Sequence, residues 1–415
     1  MFKFIKNKKI FKKENIFWKR YFLFREIIKV IEKKNYPFVQ IINKKWNTNY
    51  NEKIFRILIE ISKKKKLKVS LMNKFFKELL KYPDNFNLLV SQDLYDFFCQ
   101  IGKYRSAAKV RNITSDYILK SNLNYKKNIE LILKCSFINN QLRKKYKKFQ
   151  KEKDEITWLL YSNSLKELFL KTQNQKNSKI KKFFFQKKIL ILGPSSISNE
   201  IKNKEFDEVI RFNLNSIKEK FYHDKIKKSS ISYYVLSVIK EIISEKLNFG
   251  EKQVLAILRN SDFDRLKKIN TNIFNKINII KENNFRKKIG HNLNGLARIL
   301  LDLTKYNIEK IYIDGCDLMI SKVKIKKYFS NDLSFKKSKN KSWARGSFAH
   351  DALFQYSIYE KFYKLKFFDA NQKLKKILEN GLEKYAKELE INRGSFYNIK
   401  DLNNMIQKKI LSFDL

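Results

Sequence analysis

The chain has 415 residues, 43% of them hydrophobic and 14% aromatic, and carries a formal net charge of +50. That much apolar material supports real cores in two or three domains and excludes global disorder. The absence of any run of about 18 uncharged apolar residues argues against a membrane span. Such a charge ordinarily points to nucleic acid or an anionic surface. Here, however, Lys outnumbers Arg roughly six to one, and Lys, Asn, Ile and Phe are abundant while Gly and Pro are scarce. An AT-rich coding bias imposes that skew on any protein. Readers of base edges favour Arg, whose fork makes paired contacts, so no specific nucleic-acid partner is expected, only a cationic surface.

The N-terminus, MFKFIKNKKIFKKENIFWKRYFLF, is basic but has neither a continuous apolar core nor a small-residue cleavage site, so it does not read as a secretory signal. Cys99, Cys135 and Cys316 are odd in number and far apart. They read as buried thiols in a reducing compartment, neither a disulfide frame nor a zinc site. A cytoplasmic location follows as an expectation.

Residues 1–172 contain a single glycine, Gly102, and apolar residues recur at helical spacing over 22–31, 54–61, 72–80 and 129–138. This predicts an all-helical N-terminal domain. Within it, Leu94 to Val110 pairs two amphipathic segments around Gly102-Lys103-Tyr104, with Ala107 and Ala108 where close helix packing needs small side chains. The segment resembles one tetratricopeptide unit, although no second copy recurs at a period of about 34 residues; an irregular bundle is the simpler reading. Gln141 to Lys153 reads as a solvated helix face. Lys171 to Phe183, which lacks apolar periodicity, reads as a linker, placed at 173–184.

Over 185–415 the texture changes. Short apolar runs at 189–192, 209–212, 231–236, 254–258 and 311–313, with a last one near 365–368, alternate with helical patterns. Alternating strands and helices predict an α/β fold with a mostly parallel sheet covered on both faces.

Three stretches of this second domain carry candidate chemistry. In KILILGPSSISNEIKNKEFDEVIRFN, Lys188 to Asn213, a buried strand breaks at Gly193-Pro194-Ser195-Ser196, and a second strand ends at Arg211-Phe212-Asn213. A small-residue turn at the carboxyl edge of a parallel sheet lets a phosphate or ribose approach backbone N–H groups. In KIGHNLNGLARILLDLTKYNIEKIYIDGCDLM, Lys288 to Met319, a turn with Asn292, Asn294 and Gly295 opens an amphipathic helix. Its N-terminus suits an anion, unless the asparagine serves as a cap alone. Asp314 and Asp317 follow the next strand as D-x-x-D, which differs from the D-x-D of metal-dependent nucleotide-sugar transferases, so no metal is expected. A lysine-rich loop with Tyr328 comes next, then His350 at a helix start, where an imidazole could accept a proton near neutral pH.

Taken in order, GPSS, EVIRFN, NLNG-helix-EKIYIDGCD, the tyrosine-bearing loop, the His-led helix and a K-L-K-F strand resemble bacterial sialyltransferases of the Campylobacter-type lipooligosaccharide family, over about Lys187 to Leu374. The resemblance implies a Rossmann-like single-nucleotide-binding fold and an inverting, metal-independent glycosyltransferase without a cofactor. Its donor would be CMP-sialic acid or a related CMP-nonulosonic acid, and its acceptor a lipid-linked cell-surface glycan. Matched by position, Gly193, Pro194, Ser195, Asn213, Asn294, Gly295 and Asp317 would contact the nucleotide, Tyr328 the leaving phosphate, and His350 would be the general base. A cationic surface would hold such an enzyme peripherally at an anionic inner membrane. Two other readings stay open. One is a motility-accessory or pterin-diphosphokinase-like enzyme, which also begins with a Gly-Pro-Ser turn. The other is a basic, non-catalytic scaffold or nucleic-acid-binding protein.

Overall fold

The computed structural model describes most of residues 91–147, 154–172 and 178–212, the segments 230–234, 253–258 and 278–281, and residues 293–320 and 351–393. The chain packs as two compact units. One is formed by Met1–Tyr117 with Tyr397–Leu415, the other by Ile118–Phe396.

In the first unit the expected pair of helical segments meets at Gly102. Its φ of +72° belongs to the left-handed region that glycine enters without a steric penalty. Lys103 N–H donates to the Phe98 carbonyl at 2.8 Å and closes the preceding turn, the usual way a helix ends. Helix α1 (Tyr104–Lys120) then begins, with Ala107 and Ala108 buried and Arg111 3.9 Å over the Tyr95 ring. The helices predicted at 22–31, 54–61 and 72–80, and with them any tetratricopeptide-like array, lie outside the described residues; the one predicted at 129–138 is observed, in the second unit.

The second unit is an α/β structure. Its strands are β1 (Lys188–Leu192), β2 (Glu208–Phe212), β3 (Ile231–Tyr234), β4 (Gln253–Leu258), β5 (Asn278–Lys281), β6 (Lys310–Asp314) and β7 (Asp369–Ala370). They form one sheet in the order β5-β4-β3-β2-β1-β6-β7, and every neighbouring pair is parallel. Ile189, Leu190, Ile191 and Leu192 are all buried, as a strand covered on both faces requires. Burying each such side chain is worth about 1.5–3 kcal/mol. From β1 the order runs outward to β5 and then returns to place β6 on the other side of β1, so the direction of winding reverses between β1 and β6. The carboxyl ends of the strands flanking such a reversal are where open α/β sheets bind ligands.

Helices α2 (Ile129–Ile138), α3 (Asn140–Tyr146), α4 (Glu155–Tyr161), α5 (Leu165–Thr172) and α6 (Ser178–Phe184) precede the sheet. Helix α7 (Gly295–Leu303) leads into β6. Helices α8 (Ala352–Lys364), α9 (Gln372–Glu379) and α10 (Gly381–Arg393) close the unit.

Four features differ from the sequence reading. The compact unit begins at Ile118, upstream of the linker placed at 173–184. Helices α2 to α5 bind to it through long-range contacts: Phe137 packs edge-on against Phe354 of α8 at 5.4 Å, Lys361 Nζ donates to the Ser162 carbonyl at 2.7 Å, and Thr172 Oγ1 donates to the Thr304 carbonyl at 2.6 Å. Within the supposed linker, Ser178–Phe184 is helical. Ile180 and Phe184, four residues apart, share its buried face, and Phe184 stacks on Tyr306 at 4.7 Å.

Residues 365–368 form the end of α8 in place of a strand. Lys366 takes a φ of +58°, and Phe367 N–H returns to the Phe362 carbonyl at 3.0 Å; the apolar run is spent on burying that cap, and the strand starts at Asp369. The fourth difference is β5, a four-residue strand whose run Asn278–Lys281 is too short and too polar at its ends to stand out.

A buried polar network ties α4 and α7 to the sheet. Tyr233 on β3 donates to Asp302 Oδ2 at 2.9 Å, and Lys305 bridges Asp302 at 3.4 Å and Glu155 at 3.1 Å. Burial raises the Asp302 carboxyl against the opposing pull of Lys305. Burial also lowers Lys305, but its two carboxylate partners outweigh that effect and the net shift is upward.

Candidate functional site

At the winding reversal the loops leaving β1 and β6 lock together. Gly193 N–H donates to the Asp314 carbonyl at 2.8 Å, and Ser195 N–H donates to the Gly315 carbonyl at 2.7 Å. A Cβ built on Gly193 would lie under 3.0 Å from both Cys316 Sγ and the Gly315 carbonyl oxygen. Gly315, at φ +63°, would bring its own Cβ 2.8 Å from the Gly193 oxygen. The glycines are therefore required by each other.

This corrects the reading of the Gly-Pro-Ser turn as an open phosphate cradle. The Gly193 and Ser195 amides are spent on the β6 loop, and both residues are buried.

Asp314 is the hub of this junction. Fully buried at the end of β6, its side chain accepts from Ser198 N–H at 3.0 Å, Ser198 Oγ at 2.8 Å and Gly315 N–H at 2.6 Å, and from Asn371 Nδ2. Asn371 also caps α9 by accepting from Leu374 N–H at 2.8 Å. One carboxylate thus fixes the β1 loop, the β6 turn and the start of α9. Its acceptor sites are filled by hydrogen bonds, which leaves it poorly suited to a cation. Among the described residues no group of three or more His, Cys, Asp or Glu is placed to hold a metal ion.

Asp317 accepts from Met319 N–H at 3.1 Å and faces Lys373 Nζ at 3.8 Å. Leu318 and Met319 both adopt positive φ, 49° and 73°, which costs non-glycine residues about 1–2 kcal/mol each. The Tyr385 hydroxyl holds the strained pair by donating to the Leu318 carbonyl at 2.6 Å. Strain of this kind gathers at ligand clamps and active sites. Burial, then the neighbouring Asp317 and Asp314 charges, push the Cys316 thiol well up, so it stays a protonated packing group.

Asn294 is the N-cap of α7. Its Oδ1 accepts from Ala297 N–H at 3.0 Å and from the Tyr359 hydroxyl, and its own N–H donates to Gln355 Oε1 at 3.3 Å. The capping role accounts for its oxygen; it leaves the Gly295 and Leu296 amides without an acceptor among the described residues. Asn294 and Gly295 are half-buried. Tyr359 joins this point to the β1–β6 junction: burial holds its phenol far above the ordinary range, and Cys316 is among its electrostatic neighbours.

Gly193, Ser195, Asn294, Gly295 and Asp317 therefore belong to one region at the carboxyl edge of the sheet, linked through Cys316 and Tyr359. Pro194, Asn213, Tyr328 and His350 lie outside the described residues. Of the residues with structural weight here, Asn371, Gln355 and Tyr359 were not singled out from sequence. The Asp-Ala-Asn-Gln start of α9 carried a capping signal for Asn371. Gln355 and Tyr359, four apart on an amphipathic helix, are indistinguishable in sequence from ordinary core positions.

Asp351, next in the chain to His350, is held from two sides. Its Oδ1 accepts from Phe354 N–H at 3.2 Å as the cap of α8, and its Oδ2 pairs with Lys134 Nζ of α2 at 3.3 Å, with both side chains 0% exposed. Asp351 also has a positive φ of 48°.

Comparison of the chain with models of known families, with curated proteins and with solved structures finds no match in any of the three. Among the described residues no helix is long and apolar enough to cross a membrane.

Proposed function

We propose that the second unit is a Rossmann-like, single-nucleotide-binding glycosyltransferase that moves a nonulosonic acid from a CMP-activated donor to a glycan acceptor with inversion. The observation that carries this reading is the meeting of three sequence motifs, at Gly193, Asn294 and Asp317, at the reversal point of a parallel sheet. The described loops there hold no G-x-G-x-x-G dinucleotide turn. A single nucleotide fits better, its charge facing the α7 amides that have no acceptor among the described residues.

In the proposed reaction the acceptor oxygen attacks the anomeric carbon, the bond from that carbon to the phosphate oxygen breaks, and CMP leaves with the electron pair. The acceptor's proton passes to the His350 imidazole. Tyr328 and the helix N-terminus would stabilise the charge on the departing phosphate. The attack proceeds through an oxocarbenium-like state on the face opposite CMP, and with Tyr328 and the helix start on the phosphate the proposed reaction uses neither a metal nor a cofactor. The Lys134–Asp351 clamp fixes the backbone beside His350. A cationic surface would keep the enzyme at an anionic membrane carrying a lipid-linked acceptor, on the cytoplasmic side.

The test is release of CMP from CMP-sialic acid and from other CMP-nonulosonic acids by the purified protein, with and without chelator. His350→Ala should abolish release while CMP affinity stays within a few-fold. If no CMP donor is turned over and CMP does not bind, the reading fails; preferential stabilisation by ATP would favour the pterin-diphosphokinase-like alternative.

A further inference from the structure

The start of α7 has one more polar group aimed at it. Gln355, on the first turn of α8, is 2% exposed. Its Oε1 accepts from Asn294 N–H at 3.3 Å, and its Nε2 is buried without a hydrogen-bond partner among the described residues. The orientation of the amide follows from chemistry: exchanging oxygen and nitrogen would set two donors against each other. A buried N–H left unpaired costs about 1–3 kcal/mol. A helix position that needed only an apolar filler would avoid that cost with Met or Leu. The Gly295 and Leu296 amides at the same helix start also have no acceptor among the described residues, and Gly295 is half-buried.

We propose that Gln355 is a ligand-contacting residue, its Nε2 joining the Gly295 and Leu296 amides to hold an oxygen of a small oxyanion, a phosphate or a carboxylate, at the start of α7. The three donors come from two elements, α7 and α8, and Asn294 ties them together: its oxygen orders the helix start while its N–H orients the Gln355 amide. The positive end of the α7 dipole adds to the attraction. Because the Gly193 and Ser195 amides are already used, this cluster replaces the β1 turn as the anion-binding part of the site. The inference does not depend on which donor the protein uses.

The experiment is calorimetric titration of the full-length protein with inorganic phosphate, pyrophosphate, CMP and free N-acetylneuraminic acid, for wild type, Gln355→Glu and Gln355→Met. The phosphate probes and the sugar acid distinguish the two sources of oxyanion. At pH 8, Gln355→Glu keeps the acceptor for Asn294 N–H and loses the donor, and Gln355→Met keeps the length and loses both. Wild type should bind at least one probe, and each folded variant should weaken that binding about ten-fold or more; Gln355→Glu buries a carboxylate and should also lower the melting temperature, so Gln355→Met, which adds no charge, is the deciding variant.

Equal affinity in wild type and either folded variant overturns the inference, as does a wild type that binds none of the four probes. Gln355-dependent binding of pyrophosphate without turnover of any CMP donor would uphold the site and remove the transferase reading. Turnover with unchanged KM in Gln355→Glu would do the reverse.

Discussion

Gly193 and Cys316 occupy one space: the thiol of Cys316 fills the position a side chain at residue 193 would need. Since the Gly315 carbonyl crowds the same point, the contact has both a side-chain and a backbone component. Gly193→Ala should therefore destabilise the unit by about 1–3 kcal/mol, as overpacking does. Adding Cys316→Ala should restore only part of the loss, because the backbone clash remains. Thermal unfolding of the two variants checks this; full rescue by the double substitution would mean that Gly315 yields freely.

The parallel sheet was legible in sequence because its strands are continuous apolar runs flanked by turn residues, and five of them fall within a residue or two of the expected positions. Less legible were elements whose logic is long-range. Ser178–Phe184 has two core contacts on an otherwise basic segment, and its helix is paid for by Tyr306 and its neighbours, more than 120 residues away. For the site, local spacing located Asn294 and Gly193 but not the direction of their hydrogen bonds. Those depend on β1 lying beside β6 and α7 beside α8, facts of topology that the residues themselves do not state.

The Asp314 carboxylate makes a sharper prediction than its D-x-x-D setting. Asp314→Asn places an NH2 group among donors; of these only the Ser198 hydroxyl can reverse to accept it, so the nitrogen turns to Ser198 and the contact with the Ser198 N–H is lost. Hydrogen bonds to charged groups contribute about 1.5–3 kcal/mol each. Hydrogen exchange at the Ser198 amide should accelerate well beyond that of β2 backbone amides. Unchanged protection at Ser198 would show that the β1 loop does not need this anchor.

The buried Lys134–Asp351 pair separates a stability role from a positioning role. Lys134 Nζ also meets the part-exposed Glu130 at 2.8 Å, so Lys134→Met takes the cation from two carboxylates, and the loss at the fully buried Asp351 should cost about 3–5 kcal/mol. The double variant Lys134→Met with Asp351→Asn keeps an N-cap oxygen for Phe354 and a residue that tolerates positive φ. It should regain most of the stability, since a buried ion pair replaced as a unit is often neutral. Chemical denaturation of the three proteins measures the coupling. A double variant no more stable than the single would mean that the charge pair itself holds α8 in place.

Lys361 gives a pH dependence with a definite sign. Burial, then the nearby Arg143 charge, pull its ammonium down to about 8, with Glu167 opposing. In the unfolded chain it titrates at its ordinary value near 10.4. Below about pH 8 both states hold the proton, and the full cost of burying the charge is present. Between that pH and the unfolded value the native state has released the proton while the unfolded state retains it, so stability rises with pH over this window. Other alkaline groups titrate too, including Lys305 and the buried tyrosines, whose upward shifts act in the opposite sense. The difference between wild type and Lys361→Met isolates the contribution, because those groups are common to both. Relative to the variant, wild type should gain stability from pH 8 to 10, with a flat difference below pH 7. A flat difference over the whole range would place the Lys361 ammonium at its ordinary pKa and make its contact with the Ser162 carbonyl a solvated one.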